Sequence, residues 1–314
     1  MHKIGAKYAK MIDAANGLEP LRTAVVHPVD VASIGGAMEA KEAGFITPIL
    51  VGPEAKIKRA ADEAGVDISD VELVPTNHSH AAAAEGVKIV RSGQAAALMK
   101  GALHTDELMS AVMSSTEGLR TARRITHVFA LDVPNYHKPL FITDAAINIY
   151  PTLEDKRDII QNAIDLCHAL DIKEPKVAIL SAVETINPRI NSTIEAAALC
   201  KMAERGQITG GILDGPLAFD NAISREAADT KHIVSVVAGD ADILVAPDLE
   251  AGNMLAKQLI YLAGADAAGI VLGARVPIML TSRSDSLFAR RASAALGVLL
   301  ARFKALNEKN VAAE

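Results

Sequence analysis

The stretch Leu140-Phe-Ile-Thr-Asp-Ala-Ala-Ile-Asn148 (LFITDAAIN) is a short β-rich run that ends abruptly in an acid, with an amide four residues on. The same order recurs along the chain. Gly211-Ile-Leu runs into Asp214-Gly-Pro216, Ile243-Leu-Val-Ala into Pro247-Asp-Leu-Glu-Ala-Gly-Asn253, and Pro277-Ile-Met-Leu into Thr281-Ser-Arg-Ser-Asp-Ser286. Nearer the N-terminus, Ala96-Ala-Leu-Met ends in Lys100-Gly-Ala-Leu-His104-Thr105, a cation and a hydroxyl in place of the acid. Short apolar runs that alternate with Ala-rich amphipathic segments predict the βα alternation of a mostly parallel sheet.

Outward from that stretch, Thr23-Ala-Val-Val, Pro48-Ile-Leu-Val and Val71-Glu-Leu-Val precede the Lys100 run, and Val177-Ala-Ile-Leu and Gly269-Ile-Val-Leu belong to the later series. The pattern restarts after about residue 138, past Val133-Pro-Asn-Tyr-His-Lys-Pro139, where two prolines and a polar core interrupt both periods. Two α/β lobes are the economical reading for 314 residues. Residues 1–137 form the first, completed by a terminal helix from about 284 to 314 that folds back on it, and 138–283 form the second. The tail from Asn307 is expected to fray.

Composition narrows the function classes. A formal charge of -6, no Trp, four Tyr and six Phe supply neither a basic stripe nor stacking platforms, which argues against nucleic acid. No apolar run approaches the roughly 20 residues that cross a bilayer, and the N-terminus lacks the apolar core of a signal peptide. Ile4, Tyr8, Met11, Ile12 and Ala15 there fall on one face of a helix, and a cytoplasmic protein is expected. Cys167 and Cys200 sit in apolar helical patterns without metal-ligand spacing and read as reduced core thiols. His78-Ser-His80 has chelating spacing but no carboxylate or thiolate companions, and reads as a helix start at the surface. Gly35-Gly36 and Gly210-Gly211 do not make a dinucleotide fingerprint, and no P-loop occurs.

In open α/β sheets, ligands bind beyond the carboxyl ends of strands, where helix N-termini supply free N–H groups. Ser and Asp at such places are also ordinary helix caps, which stabilise by about 1 kcal/mol each. Capping does not explain Arg283, because a cation at a helix start opposes the macrodipole unless an anion shares the spot. Ser282 and Arg283 are therefore read as a grip on a phosphoryl group. Arg120, Arg123 and Arg124 form a basic cluster that is either a solvated helix face or part of the same electrostatics.

From Leu98 to Ser286 the chain resembles the phosphate acetyltransferase and phosphate butyryltransferase family, especially its short members. The matching blocks are LMKGALHT (98–105), GLRTARRITHV (118–128), FITDAAINIYPTLEDK (141–156), SAVETINPR (181–189), KMAERGQITGGILDGPLAFDNAIS (201–224), ADILVAPDLEAGNMLAKQL (241–259) and PIMLTSRSDS (277–286). The resemblance implies a two-lobed fold similar to that of isocitrate and isopropylmalate dehydrogenases, with the site in the interlobe cleft and a homodimeric assembly. It implies reversible acyl transfer between coenzyme A and inorganic phosphate, with coenzyme A as a substrate and no permanently bound cofactor or metal. By the same resemblance Ser282 hydrogen-bonds the sulfur or carbonyl oxygen and Arg283 the phosphate. Lys100, His104, Thr105, Arg120, Asp144, Asn148, Asp214 and Pro216 fall in the matching blocks as substrate-binding candidates. The acetyltransferases place a proposed catalytic aspartate seven positions beyond the serine; that position is Ala289 here, and Asp285 is the nearest carboxylate.

Three other functions compete. Phosphate butyryltransferase differs by acyl chain length only, which sequence discriminates poorly because one methylene contributes about 1–3 kcal/mol. A metal-dependent decarboxylating dehydrogenase of the same fold would gather carboxylates such as Asp144, Asp214 and Asp242 on a divalent ion. A solute-binding protein would require export. The acetyltransferase reading is preferred.

Overall fold

In the computed structural model the described residues are 5–281 and 287–313, their side chains as far as 307. The first part of the chain runs α1 (Ala6–Asp13), β1 (Leu21–Val26), α2 (Val31–Glu42), β2 (Ile46–Gly52), α3 (Glu54–Ala64), β3 (Glu72–Pro75), α4 (Ser79–Arg91), β4 (Ala97–Lys100), α5 (Thr105–Val112), β5 (Thr126–Asp132) and β6 (Leu140–Thr143). It continues through α6 (Leu153–Ala169), β7 (Lys176–Leu180), α7 (Asn191–Glu204), β8 (Ile212–Leu217), α8 (Phe219–Ile223), α9 (Arg225–Thr230), β9 (Ile243–Val245), α10 (Leu249–Tyr261), β10 (Asp266–Leu272), β11 (Ile278–Met279) and α11 (Leu287–Ala313).

These elements divide into two compact units, residues 10–123 with 268–314, and residues 1–9 with 124–267. Val133–Pro139, the stretch read from sequence as the passage between lobes, connects β5 to β6 inside the second of these. Its polar core is used locally. The Tyr136 hydroxyl donates to the Ala241 carbonyl at 2.6 Å, and Lys7 Nζ donates to the Val133 carbonyl at 2.6 Å.

In the unit of residues 10–123 and 268–314 the strands lie in the order β3-β2-β1-β4-β11-β10. All neighbours are parallel except β10 and β11. The apolar runs explain the burial: Ala24, Val25, Val26, Leu50 and Leu98 are all fully enclosed. Helix α2 starts at Asp30, whose carboxylate accepts from Ser33 N at 2.7 Å, the cap that satisfies an otherwise orphaned first-turn donor. α11 packs on α2 through Gly36, where a methyl group would come within 2.3 Å of Arg290 Cδ.

The other unit has the order β5-β6-β9-β7-β8, with β5 and β6 antiparallel and the rest parallel. β5 has no counterpart in the sequence reading, because His127 and Asp132 interrupt its apolar alternation. The tertiary structure accommodates them: the His127 ring meets that of Phe129 edge-on with centroids 4.4 Å apart, and Asp132 binds Lys7 Nζ at 2.8 Å and the Tyr8 amide at 3.0 Å. The amphipathic N-terminal face is seated, with Tyr8, Met11, Ile12 and Ala15 all buried.

Candidate active site

The parallel register sets β1, β4 and β11 abreast. Val26 pairs with Lys100, and Met279 with Met99, so His27, Gly101 and Thr281 form the next row at the carboxyl ends. Lys100, the last residue of β4, is 3% exposed, a buried ammonium at a strand end. Gly101 is obligatory: a Cβ there would lie 2.4 Å from the Val26 carbonyl oxygen and 2.7 Å from that of His27. His104 is exposed just before α5, where its amide donates to Glu107 Oε2 at 3.0 Å, and Thr105 opens the helix half-buried.

Thr281 is buried, and its hydroxyl accepts from Arg290 Nη1 at 2.9 Å. Arg290 is itself 3% exposed, so a second cation is buried beside the end of β11. Sequence reading missed it. The signal was the glycine pair in α2, since Gly inside a helix costs about 1 kcal/mol and needs a reason. Gly36 supplies that reason by leaving room for the arginine stem. Ala289, at the position of the acetyltransferases' carboxylate, is buried in the first turns of α11. Ser282, Arg283 and Asp285 lie outside the described residues.

Arg120 is exposed and its side chain makes no hydrogen bond or ion pair with the described residues; its backbone forms an isolated bridge with Ala274. Arg124, in the other unit, is held far more firmly. Its Nε donates to Asn148 Oδ1 at 2.7 Å and lies 3.4 Å from Asp155 Oδ1, while its amide donates to Asp158 at 2.9 Å. Asn148 in turn donates to the Ile125 carbonyl at 3.0 Å and to Asp144 Oδ2 at 2.5 Å.

Asp144 also accepts from the amides of His127 at 3.3 Å, Ala146 at 2.9 Å, Ile147 at 3.1 Å and Asn148 at 3.3 Å. Asp144 is 3% exposed, and its oxygens are occupied by N–H donors. The LFITDAAIN stretch thus builds a chain from Asp144 through Asn148 to Arg124, in which the acid and amide orient a guanidinium instead of meeting solvent.

Asp214 is inside β8 and not beyond it as the sequence reading had it. It pairs with Ala178, and a register shift between Ala178 and Leu180 accommodates Gly215 and Pro216 at this edge strand. Its Oδ1 accepts from the Gly215 amide at 2.8 Å, and its charge, after burial, helps push the Cys200 thiol on α7 up to about 12. Asp242 lies at the other strand end. The paired run of β6 with β9 is Phe141–Thr143 against Ile243–Val245, so Asp242 precedes that run and Asp144 follows it. Four residues of strand separate their levels, roughly 13 Å. Among the described residues no group of three His, Cys, Asp or Glu side chains could hold a metal ion. The three aspartates share no common site.

A family profile described as phosphate acetyl/butaryl transferase matches residues 75–296. The chain belongs to this family. The matched span contains every site candidate from Lys100 to Asp285, and also Arg124 and Arg290. A phosphate acetyltransferase from Rhizobium meliloti is 64% identical over 296 residues, covering 94% of each chain. A phosphate butyryltransferase from Clostridium acetobutylicum is 39% identical over 94% of this chain and 98% of its own. Among solved structures, a branched-chain phosphotransacylase from Enterococcus faecalis V583 superposes with a TM-score of 0.77 at 29% identity, covering 90% of this chain and 99% of that one. A 4-hydroxythreonine-4-phosphate dehydrogenase from Klebsiella pneumoniae shares the fold alone, with a TM-score of 0.52 at 12% identity over 90% of this chain and 98% of its own. The α/β fold of the family is therefore common to transacylases and dehydrogenases.

Proposed function

We propose that this chain transfers an acetyl group reversibly between acetyl-CoA and inorganic phosphate. The observation that carries the reading is the 64% identity, over almost the whole of both chains, to a relative named phosphate acetyltransferase. The site chemistry agrees with it. Lys100 at the end of β4 and Arg290 beside Thr281 place buried positive charge in a protein of net charge -6, as an anionic substrate in a weakly polar setting requires.

In the direction of thioester synthesis, the sulfur of CoA attacks the carbonyl carbon of acetyl phosphate. The C–S bond forms, nearby donors stabilise the tetrahedral oxyanion, and its electron pair then re-forms the carbonyl as the bond from the acyl carbon to the bridging phosphate oxygen breaks and phosphate leaves with that bond's electrons. The thiol proton goes to a base and then to solvent or phosphate. Ser282 is assigned to the sulfur or carbonyl oxygen, Arg283 to the phosphate, and Asp285 to the proton, by the family resemblance of the TSRSDS block. Lys100, His104, Thr105 and Arg120 serve substrate binding. Asp144 and Asn148 act through Arg124 and are positioning residues. Asp214 and Pro216 are kept as substrate-binding assignments on the LDGP block. No permanently bound cofactor enters this scheme, coenzyme A being a substrate in one direction and a product in the other.

The same reading makes the protein a cytoplasmic homodimer; among the described residues no helix is long and apolar enough to cross a membrane. The test is thioester formation by the purified chain from CoA and acetyl, propionyl or butyryl phosphate. Acetyl phosphate is expected to give the highest kcat/KM. Preference for butyryl phosphate would reassign the acyl group, and no thioester from any donor would reject the activity.

A further inference from the structure

His27 is the residue that the reaction scheme leaves unused and the fold treats most unusually. It follows β1 with φ at 57°, in the left-handed region where glycine or asparagine is cheaper. Its main chain is wedged between two strand-end glycines. A Cβ on Gly101 would meet the His27 carbonyl at 2.7 Å, and one on Gly52 would meet the His27 Cα at 3.4 Å. The side chain is 8% exposed, and its Nδ1 is buried without a hydrogen-bond partner. A turn alone needs neither the strained backbone nor the unmade polar contact, both of which cost stability.

The ring's protonation follows from these contacts. A proton on the sealed Nδ1 would be an orphaned donor, so the neutral ring carries it on Nε2. Burial is the largest influence and lowers the imidazole's pKa below the usual histidine value. The Ala102 carbonyl, Glu107 and Asp30 act against it, and Lys56 with it. With Nδ1 unpartnered, the N–H that the Ala102 carbonyl favours is Nε2–H. An anionic oxygen is a stronger acceptor for this N–H than a neutral carbonyl is. His27 shares a row with Gly101, which has no side chain, and with Thr281 beyond it, at two strand spacings or roughly 10 Å between the His27 and Thr281 Cα atoms.

We propose that His27 is a further substrate-contacting residue, donating Nε2–H to an oxygen of the phosphoryl group held at the ends of β4 and β11. This rests on the acyl-phosphate reading above. Two variants separate contact from structure. His27→Asn tolerates the left-handed backbone but cannot reach the Nε2 position, whereas His27→Gln reaches it. The Asn variant is expected to raise KM for phosphate about 10-fold, with KM for acetyl-CoA changed less than 2-fold, and the Gln variant to recover part of the loss. In the wild-type protein, long-range proton–nitrogen spectra should show the Nε2–H form and a shift of that resonance on titration with inorganic phosphate. An unchanged KM for phosphate in a folded His27→Asn variant, or a His27 resonance that stays fixed at saturating phosphate, would overturn the proposal. Should the wild type form no acyl product, the acyl-transfer reading falls by itself, and the resonance titration still decides whether His27 meets phosphate.

Discussion

Lys100 and Asp144 occupy equivalent places in their own units, each at the carboxyl end of a short buried strand, and are used in opposite ways. Asp144 accepts from four backbone amides and the Asn148 side chain, which more than fills the about four lone-pair sites of a carboxylate. Its charge is spent on holding a loop. At the end of β4 and β11 the buried groups are cations, Lys100 and Arg290, and the neighbouring position is a glycine that keeps side chains out. A run of strand followed by a polar residue therefore marks a position, and the donors that surround it decide whether it is scaffold or site.

The sharpest way to break this contrast is Arg283→Ala. If the cationic end binds phosphate, KM for phosphate should rise by about 10²-fold or more while KM for CoA moves little, as expected when one charge-bearing donor is removed. An unchanged value would take that arginine out of the site. Arg290→Ala comes next. It deletes a buried stem and the bond to Thr281, and should lower stability by roughly 3 kcal/mol as well as activity, read by denaturant unfolding and by steady-state kinetics. A fully active, equally stable variant would show that the buried guanidinium is incidental.

On the scaffold side, Asp144→Asn preserves shape but turns an acceptor-only group into one that must present an NH2 to crowded donors. Stability should fall by about 2 kcal/mol. Activity should fall with it through Arg124, and Arg124→Ala should reproduce the activity loss without the stability loss. If Asp144→Asn lost activity while unfolding like the wild type, the carboxylate would belong to the site after all.

The smallest effect concerns the opposite strand end. Burial alone would raise the Asp240 carboxyl, but bonds from Lys176, His137 and Lys138 hold it well below the usual carboxylate range. A depressed folded-state value means that its contribution is complete above the unfolded value near 4 and is lost as pH falls below it. Asp240→Asn should cost about 1 kcal/mol at neutral pH and flatten the acid limb of the stability curve. An acid limb identical to the wild type would show that Lys176 and His137 give this group nothing.

Much of the fold was legible because its signals are local. Apolar runs such as Thr23-Ala-Val-Val and Ile243-Leu-Val need only their own composition to become strands, and Asp30 and Asp248 cap the helices that follow through bonds three residues long. β5 was illegible for the complementary reason. His127 and Asp132 break its pattern, and the partners that make them tolerable, Lys7 and the Tyr8 amide for Asp132, come from more than a hundred residues away.

The candidate site divides the same way. Residue types and order in the blocks from Leu98 to Ser286 were enough to find the family and to nominate Lys100 and Asp144. Their roles depend on atoms from distant segments. Asp214 looked like a strand-end acid because Gly-Pro after it resembles a turn, yet β8 continues through that dipeptide with a register shift. The tertiary structure alone decided that Asp144 is saturated, that Arg290 reaches Thr281 past Gly36, and that His27 stands in the same row as Thr281, two strands away. By itself, the sequence determined the βα alternation and the family, because periodicity and motif order are properties of neighbours in the chain. Burial and hydrogen-bond partnership are properties of neighbours in space, and those set which charged groups remain available for chemistry.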